Sequence, residues 1–217
     1  MQQPAHHRLY GRAKGKPLTA HQAALVDGLL PRLAFDADSV PEGEIWMEIG
    51  FGAAHHLIEQ ARANPDVTLI GAEPFLNGVA KALARIDADG LTNVRLHNGD
   101  AREIVSALPD GALSKLFVLY PDPWPKARHR KRRLIQEDTI AEFARVLAPG
   151  SVWRFASDIT DYVEWVLTRV ARSPHFAWEP TSARDFLDPP ADWTVTHFER
   201  KAIREGRIPH YFDFVRL

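Results

Sequence analysis

EIWMEIGFGAAHH, residues 44–56, passes from an apolar run to a glycine-punctuated turn and then into a segment of helical character, the order in which a strand feeds a helix in a βαβ unit. Working outward, apolar and β-branched runs recur at Val67–Glu73, Asn93–Asn98, Lys115–Tyr120 and Ser151–Ala156, each closed by Gly, Pro or Ser. Between them, Ala53–Ala63, Leu76–Ile86, a short turn at Ala101–Ala107, Leu134–Leu147 and Tyr162–Val170 read as helices. In Leu134–Leu147 the apolar positions Leu134, Ile135, Ile140, Phe143, Val146 and Leu147 recur at three- and four-residue spacing, and Pro149-Gly150 marks the stop. Two further strands are expected at Phe176–Glu179 and Ile208–Val215, joined by a Pro- and Asp-rich loop. Upstream, Leu18–Leu33 reads as an amphipathic helix weakened by Gly28 and ended by Pro31. The expectation is an α/β fold, Rossmann-like, with a mostly parallel seven-stranded sheet and helices on both faces.

In such sheets ligands bind beyond the carboxyl ends of the strands. Those positions are acidic here: Glu48 and Glu73 within the first two strands' last residues, then Asp100, Asp122 and Asp158 just after the third, fourth and fifth. Gly50 and Gly52 allow backbone to approach a ligand closely. Where dinucleotide folds place a third glycine, this chain has His55, which argues against a pyrophosphate on the helix N-terminus. Glu73 lies 21 residues beyond Gly52, near the spacing of an acid that accepts hydrogen bonds from ribose hydroxyls. A nucleoside without phosphates fits better than NAD, and a carboxylate-rich rim suits the sulfonium of S-adenosylmethionine. The plainer alternative is that Glu48 and Glu73 cap neighbouring helices.

Charge and composition narrow the classes. Lys and Arg number 27 against 28 Asp and Glu, so affinity for nucleic acid must come from local clustering. PDPWPKARHRKRR, residues 121–133, is such a cluster, with six Lys or Arg among the eight residues from Lys126 to Arg133. At the start of a helix from Leu134 it would oppose the macrodipole, so an anionic partner explains it better than stability does. Trp124 is positioned either to stack on a base or to pack under the loop. There are no cysteines, which excludes disulfides, thiolate metal sites and Cys nucleophiles, and suits a cytoplasmic setting. The ten histidines show no metal-ligand spacing, so no metal is expected. No apolar stretch reaches membrane-spanning length, and MQQPAHHRLYGRAKGK has no apolar run behind its charge, so it reads as a basic arm with Arg8, Arg12, Lys14 and Lys16 as additional phosphate contacts rather than a signal peptide. The rivals are a nicotinamide-dependent oxidoreductase, a non-catalytic RNA-binding module, and methylation of a different acceptor such as a protein or small molecule, against which the basic cluster favours RNA.

With the rim carboxylates, PDPWPKARHRKRR and the tail THFERKAIREGR at 196–207, the chain resembles the bacterial tRNA (guanine-N7)-methyltransferase family. The resemblance implies a class I S-adenosylmethionine-dependent enzyme that makes 7-methylguanine in the tRNA variable loop, at tRNA position 46. It implies S-adenosylmethionine contacts at Glu48, Glu73, Asp100 and Asp122, with Asp122 also catalytic. Lys126, Asp158 and Thr196, His197, Phe198 and Glu199 match substrate-contacting positions. Arg128, His129, Arg130, Lys131, Arg132 and Arg133 match the RNA-interacting segment. The chain departs from the family in having His197 where Lys is usual and Ala53-Ala54 after GFG. Residues 1–17 then form the arm and 18–217 a single methyltransferase domain, of open oligomeric state.

Overall fold

The computed structural model describes residues 9, 10 and 15–217; Arg8, Arg12 and Lys14 of the expected arm lie outside them. The strands are β1 (Ile45–Ile49), β2 (Thr68–Ala72), β3 (Val94–His97), β4 (Leu113–Leu119), β5 (Leu147–Ser157), β6 (Phe176–Ala177) and β7 (His210–Arg216). The helices are α1 (Ala20–Gly28), α2 (Leu30–Leu33), α3 (His55–Ala63), α4 (Leu76–Asp89), α5 (Ala101–Ala107), α6 (Glu137–Val146), α7 (Thr160–Val170), α8 (Arg184–Leu187) and α9 (His197–Arg204), with a 3-10 helix over Ala127–Arg132. The sheet runs β3-β2-β1-β4-β5-β7-β6; β1 to β5 are parallel, and β7 is antiparallel to β5 and β6.

Strand periodicity sorts the core into two layers. On β1, Ile45, Met47 and Ile49 face the cluster containing Ile104 of α5, Phe143 of α6 and Val166 of α7, while Trp46 joins Leu57 of α3 and Leu83 of α4 on the other face. Helices therefore cover both faces, as expected from the apolar runs. α4 shows the local logic: Val79, Ala82, Leu83 and Ile86 form its buried stripe, and Gly90 at φ 63° ends it as a left-handed cap.

Three sequence expectations shift. The first helix breaks at Leu29, and Pro31 sits in the first turn of α2, where its missing N–H is harmless, instead of ending a helix. The charged run is not the start of the Leu134 helix: it forms its own 3-10 turns, and α6 begins at Glu137 with Glu137 and Asp138 in its first turn. The macrodipole argument for an anionic partner therefore does not apply. Pro149-Gly150 does not separate helix from strand, because β5 already starts at Leu147 and the pair lies where the β4–β5 register shifts.

A charged cluster sits on β4, β5 and β7. Arg154, 4% exposed, donates two 2.7 Å hydrogen bonds to the Asp213 carboxylate opposite it and a third of 2.7 Å to Asp192, which also receives Lys115 Nζ at 3.1 Å. This pins the loop that leads into α9. Asp213→Ala leaves a buried guanidinium partly unpaired and is expected to cost about 2 kcal/mol in denaturant unfolding; a loss under roughly 0.5 kcal/mol contradicts the pinning role.

Candidate active site

The loops after β1 to β4 close around one cavity of about 710 Å³, inside the range of small-molecule sites. Its floor depends on close backbone approach. Gly50 (φ 75°) and Gly52 (φ 55°) both adopt left-handed backbone, and a Cβ on Gly78 of α4 would lie 2.3 Å from the Gly52 carbonyl oxygen. Gly78 thus does the helix-to-loop packing that the absent third glycine of a dinucleotide motif performs elsewhere. Glu73 fastens the same loop: Gly52 N–H donates to its Oε2 at 2.7 Å and Phe75 N–H to its Oε1 at 2.8 Å. Among the described residues, the non-glycines with positive φ are Ala54, Tyr120 and Trp124, all at this rim, a concentration of backbone strain typical of ligand sites.

Of the five rim acids, three line the cavity: Glu73, Asp100 and Asp122. Burial pushes the Glu73 carboxyl above the usual range; its two backbone donors oppose this, and the negative charges of Asp122 and Glu48 add to it. Asp122 is open to the cavity, and desolvation by its surroundings raises its carboxyl as well. Asp100 accepts from Arg102 N–H at the start of α5 and takes the Arg102 guanidinium on both oxygens. The other two acids are placed differently. Glu48, 4% exposed, lies in an adjoining crevice with its Oε2 2.9 Å from His56 Nδ1. Asp158 is paired with Arg207. Tyr120, Phe75, Phe198, Trp124 and Arg132 complete the walls. Tyr120 is a wall residue that nothing in the sequence marks except its place after β4.

The basic run divides into two parts. Lys126, Arg128 and Lys131 are exposed, and His129 and Trp124 pack edge to face with ring centres 6.0 Å apart. The Arg132 guanidinium lies 4.7 Å from the Tyr10 ring centre and 5.0 Å from that of Trp124, so Trp124 packs and borders the cavity at once. Arg130 and Arg133 turn inward to the Asp161 carboxylate of α7. Arg133 is 2% exposed, donates to Pro123 O at 2.8 Å and lies between the Tyr162 and Trp165 rings. It anchors the loop, which corrects its expected place in the RNA-facing set.

At the tail, Thr196 and Glu199 form a reciprocal cap at the start of α9, with Glu199 N–H donating to Thr196 Oγ1 at 3.0 Å and Thr196 N–H to Glu199 Oε2 at 3.1 Å. Glu199 is buried and also accepts from Trp193 Nε1 and the Tyr211 hydroxyl, so its carboxylate organises the tail while His197 and Phe198 stay exposed. The Thr-x-x-Glu spacing was a readable signal for this helix start. Gly15 and Lys16 dock on Asn77 of α4, through Gly15 N–H to Asn77 Oδ1 and Asn77 Nδ2 to Lys16 O, each at 2.7 Å.

A family described as "Putative methyltransferase" matches residues 42–211. A protein of Rhodospirillum rubrum named tRNA (guanine-N(7)-)-methyltransferase is 47% identical, covering 96% of this chain and 88% of its own. One of the same name from Caulobacter sp. strain K31 is 46% identical, covering 97% and 95%. Among solved structures, the 16S rRNA methyltransferase KamB superposes with a TM-score of 0.58 at 16% identity over 95% of this chain and 99% of its own, a likeness of fold. Its similarity to these relatives over nearly the whole length places the chain in the tRNA (guanine-N(7)-)-methyltransferase family.

Proposed function

We propose that this protein transfers a methyl group from S-adenosylmethionine to N7 of a guanine in tRNA, the variable-loop guanine at tRNA position 46, in the cytoplasm. The observation that carries the reading is the meeting of Glu73, Asp100 and Asp122 around one cavity whose mouth is bordered by Lys131 and Arg132. The residues fit the donor: two carboxyls with raised pKa values gain most from a cationic guest, and Gly50 and Gly52 present bare backbone to the cavity.

When bound, S-adenosylmethionine presents an electrophilic methyl on a sulfonium. Neutral guanine has a lone pair and no proton on N7, so the protein needs no general base; its work is alignment and charge stabilisation. Asp122 offsets the positive charge that appears on the guanine ring. Glu73 holds the ribose and Lys126 donates to guanine O6 or a phosphate, while Asp158, engaged by Arg207 outside the cavity, is left to structure rather than to the base. Glu199 positions Thr196 and Phe198. Lys126, Arg128, Lys131 and Arg132 meet the RNA backbone.

Purified protein with labelled methyl donor and unmodified tRNA is expected to yield label in 7-methylguanine; label in another nucleoside refutes the acceptor. Asp122→Asn is expected to lower the transfer rate roughly 100- to 1,000-fold with an unchanged far-ultraviolet spectrum, and near-wild-type turnover removes Asp122 from the chemistry.

The raised carboxyls make donor binding pH-dependent. In the free protein they hold protons to a higher pH than the ordinary 3.8 of Asp and 4.5 of Glu, so the free fold gains stability as pH falls through that window. A cationic donor favours the ionised forms. Binding in mildly acid solution is therefore expected to expel protons and to weaken as pH drops, read by calorimetry in buffers of different ionisation enthalpy; no proton release contradicts the assignment.

Replacing Lys126, Arg128 and Lys131 with Gln is expected to flatten the dependence of log affinity for tRNA on log salt by roughly 0.7 to 0.9 per lost contact. An unchanged slope places the run away from the RNA.

A further inference from the structure

Helix α9 carries more positive charge than the proposed reaction uses. At about 100° per residue, His197, Arg200, Lys201 and Arg204 fall within an arc of about 100°. The arc lies across the helix from Glu199 and Ala202, its buried residues, and all four side chains are exposed. Lys201 has Glu205 at 4.0 Å. Among the described residues Arg200 and Arg204 form no ion pair, and Arg200 donates only to the carbonyls of Val195 and Thr196 at 3.3 and 3.4 Å.

The arc continues onto α3 and α4. Arg85 Nη2 lies 2.9 Å from His55 Nε2, and its Nη1 donates to Ala53 O at 2.7 Å. His55 lines one crevice with His197 and Phe198 and is held below the usual imidazole range by burial first and then by Arg85, Arg200 and His197, with Glu59 opposing. Helix polarity accounts for Lys201 and Arg204 in the last turn of α9, but it disfavours Arg200 near the N-terminus. An external anion resolves that conflict.

We propose that the exposed face of α9, continued by Arg85, is a second docking surface for the sugar–phosphate backbone of the RNA, distinct from the Lys126–Arg132 run. RNA is the partner favoured because this face borders Phe198, 48% exposed, which also lines the cavity assigned to the methyl donor, so the acceptor guanine must be seated beside it. A base seated there brings its own flanking phosphates onto the neighbouring surface, where Arg side chains position backbone without reading sequence. The inference rests on the tRNA methyltransferase reading above.

The test measures unmodified tRNA binding against salt for wild type, the double variant Arg200→Gln/Arg204→Gln and the single charge reversal Arg204→Glu, whose side chain makes no hydrogen bond that folding depends on. The expected result is about tenfold weaker binding for the double variant, with a log–log slope shallower by roughly 0.7 to 0.9 per contact. Arg204→Glu is expected to weaken binding too; donor affinity is expected to hold in both variants, and melting temperature to fall by no more than about 2 to 4 °C, the loss of a cation that suits the last turn of α9. A wild-type slope and affinity in both variants, beside a wild type that binds and methylates tRNA, overturns this surface and leaves the function standing. A loss of donor affinity equal to the loss of RNA affinity also overturns it, as damage to the cavity. A wild type that does not bind tRNA overturns both.

Discussion

The Glu73 carboxylate held between the N–H groups of Gly52 and Phe75 is the contact on which the rest of the site depends. It ties the loop after β1 to the loop after β2, and the Gly52 carbonyl in turn presses on α4 where only a glycine at position 78 leaves room. The cost is electrostatic. A carboxyl that folding places under cover, near Asp122 and Glu48, is held ready for a positive partner, and its raised pKa registers the lack of one in the protein alone. Loop geometry and ligand preference thus have one cause.

A second set of ion pairs holds the chemistry in register with the RNA-facing surfaces. Arg133, buried between Tyr162 and Trp165, carries the loop after β4 on Asp161 of α7, and this fixes Asp122 at one end of the segment and the exposed lysines at the other. Arg154, Asp213 and Asp192 do the same for the tail, delivering Trp193 to Glu199 and so setting the start of α9. Positive charge within one motif therefore serves two ends: inward guanidinium groups shape the cavity wall, and outward ones are free to meet phosphate. Sequence alone does not separate Arg132 from Arg133, because the difference lies in how the chain leaves the 3-10 helix at Arg132 and turns Arg133 toward α7.

The parallel strands and the three cavity acids were legible because strand alternation and strand-end position are local properties, readable at Met47 or Asp122 without knowing the neighbours. Glu48 was legible as a rim acid, but not as a partner of His56, since that contact depends on how the first turn of α3 folds back over β1. Gly78 went unremarked inside a helical pattern, where glycine usually only weakens the helix; its reason is a contact with a carbonyl 26 residues earlier in the chain. The start of α6 is not legible because Leu134 and Ile135 continue the apolar spacing, whereas Gln136 turns its amide back to the carbonyls of Arg130 and Arg133 and holds that stretch out of the helix.

The most direct measurement is a crystal structure of the protein with the methyl donor or its demethylated product bound. The account predicts the ribose hydroxyls at Glu73, the adenine between the loops after β2 and β3, and the sulfur facing Asp122 across the cavity. A donor seated outside the ring of Glu73, Asp100 and Asp122, or held there with its sulfur turned away from Asp122, contradicts it.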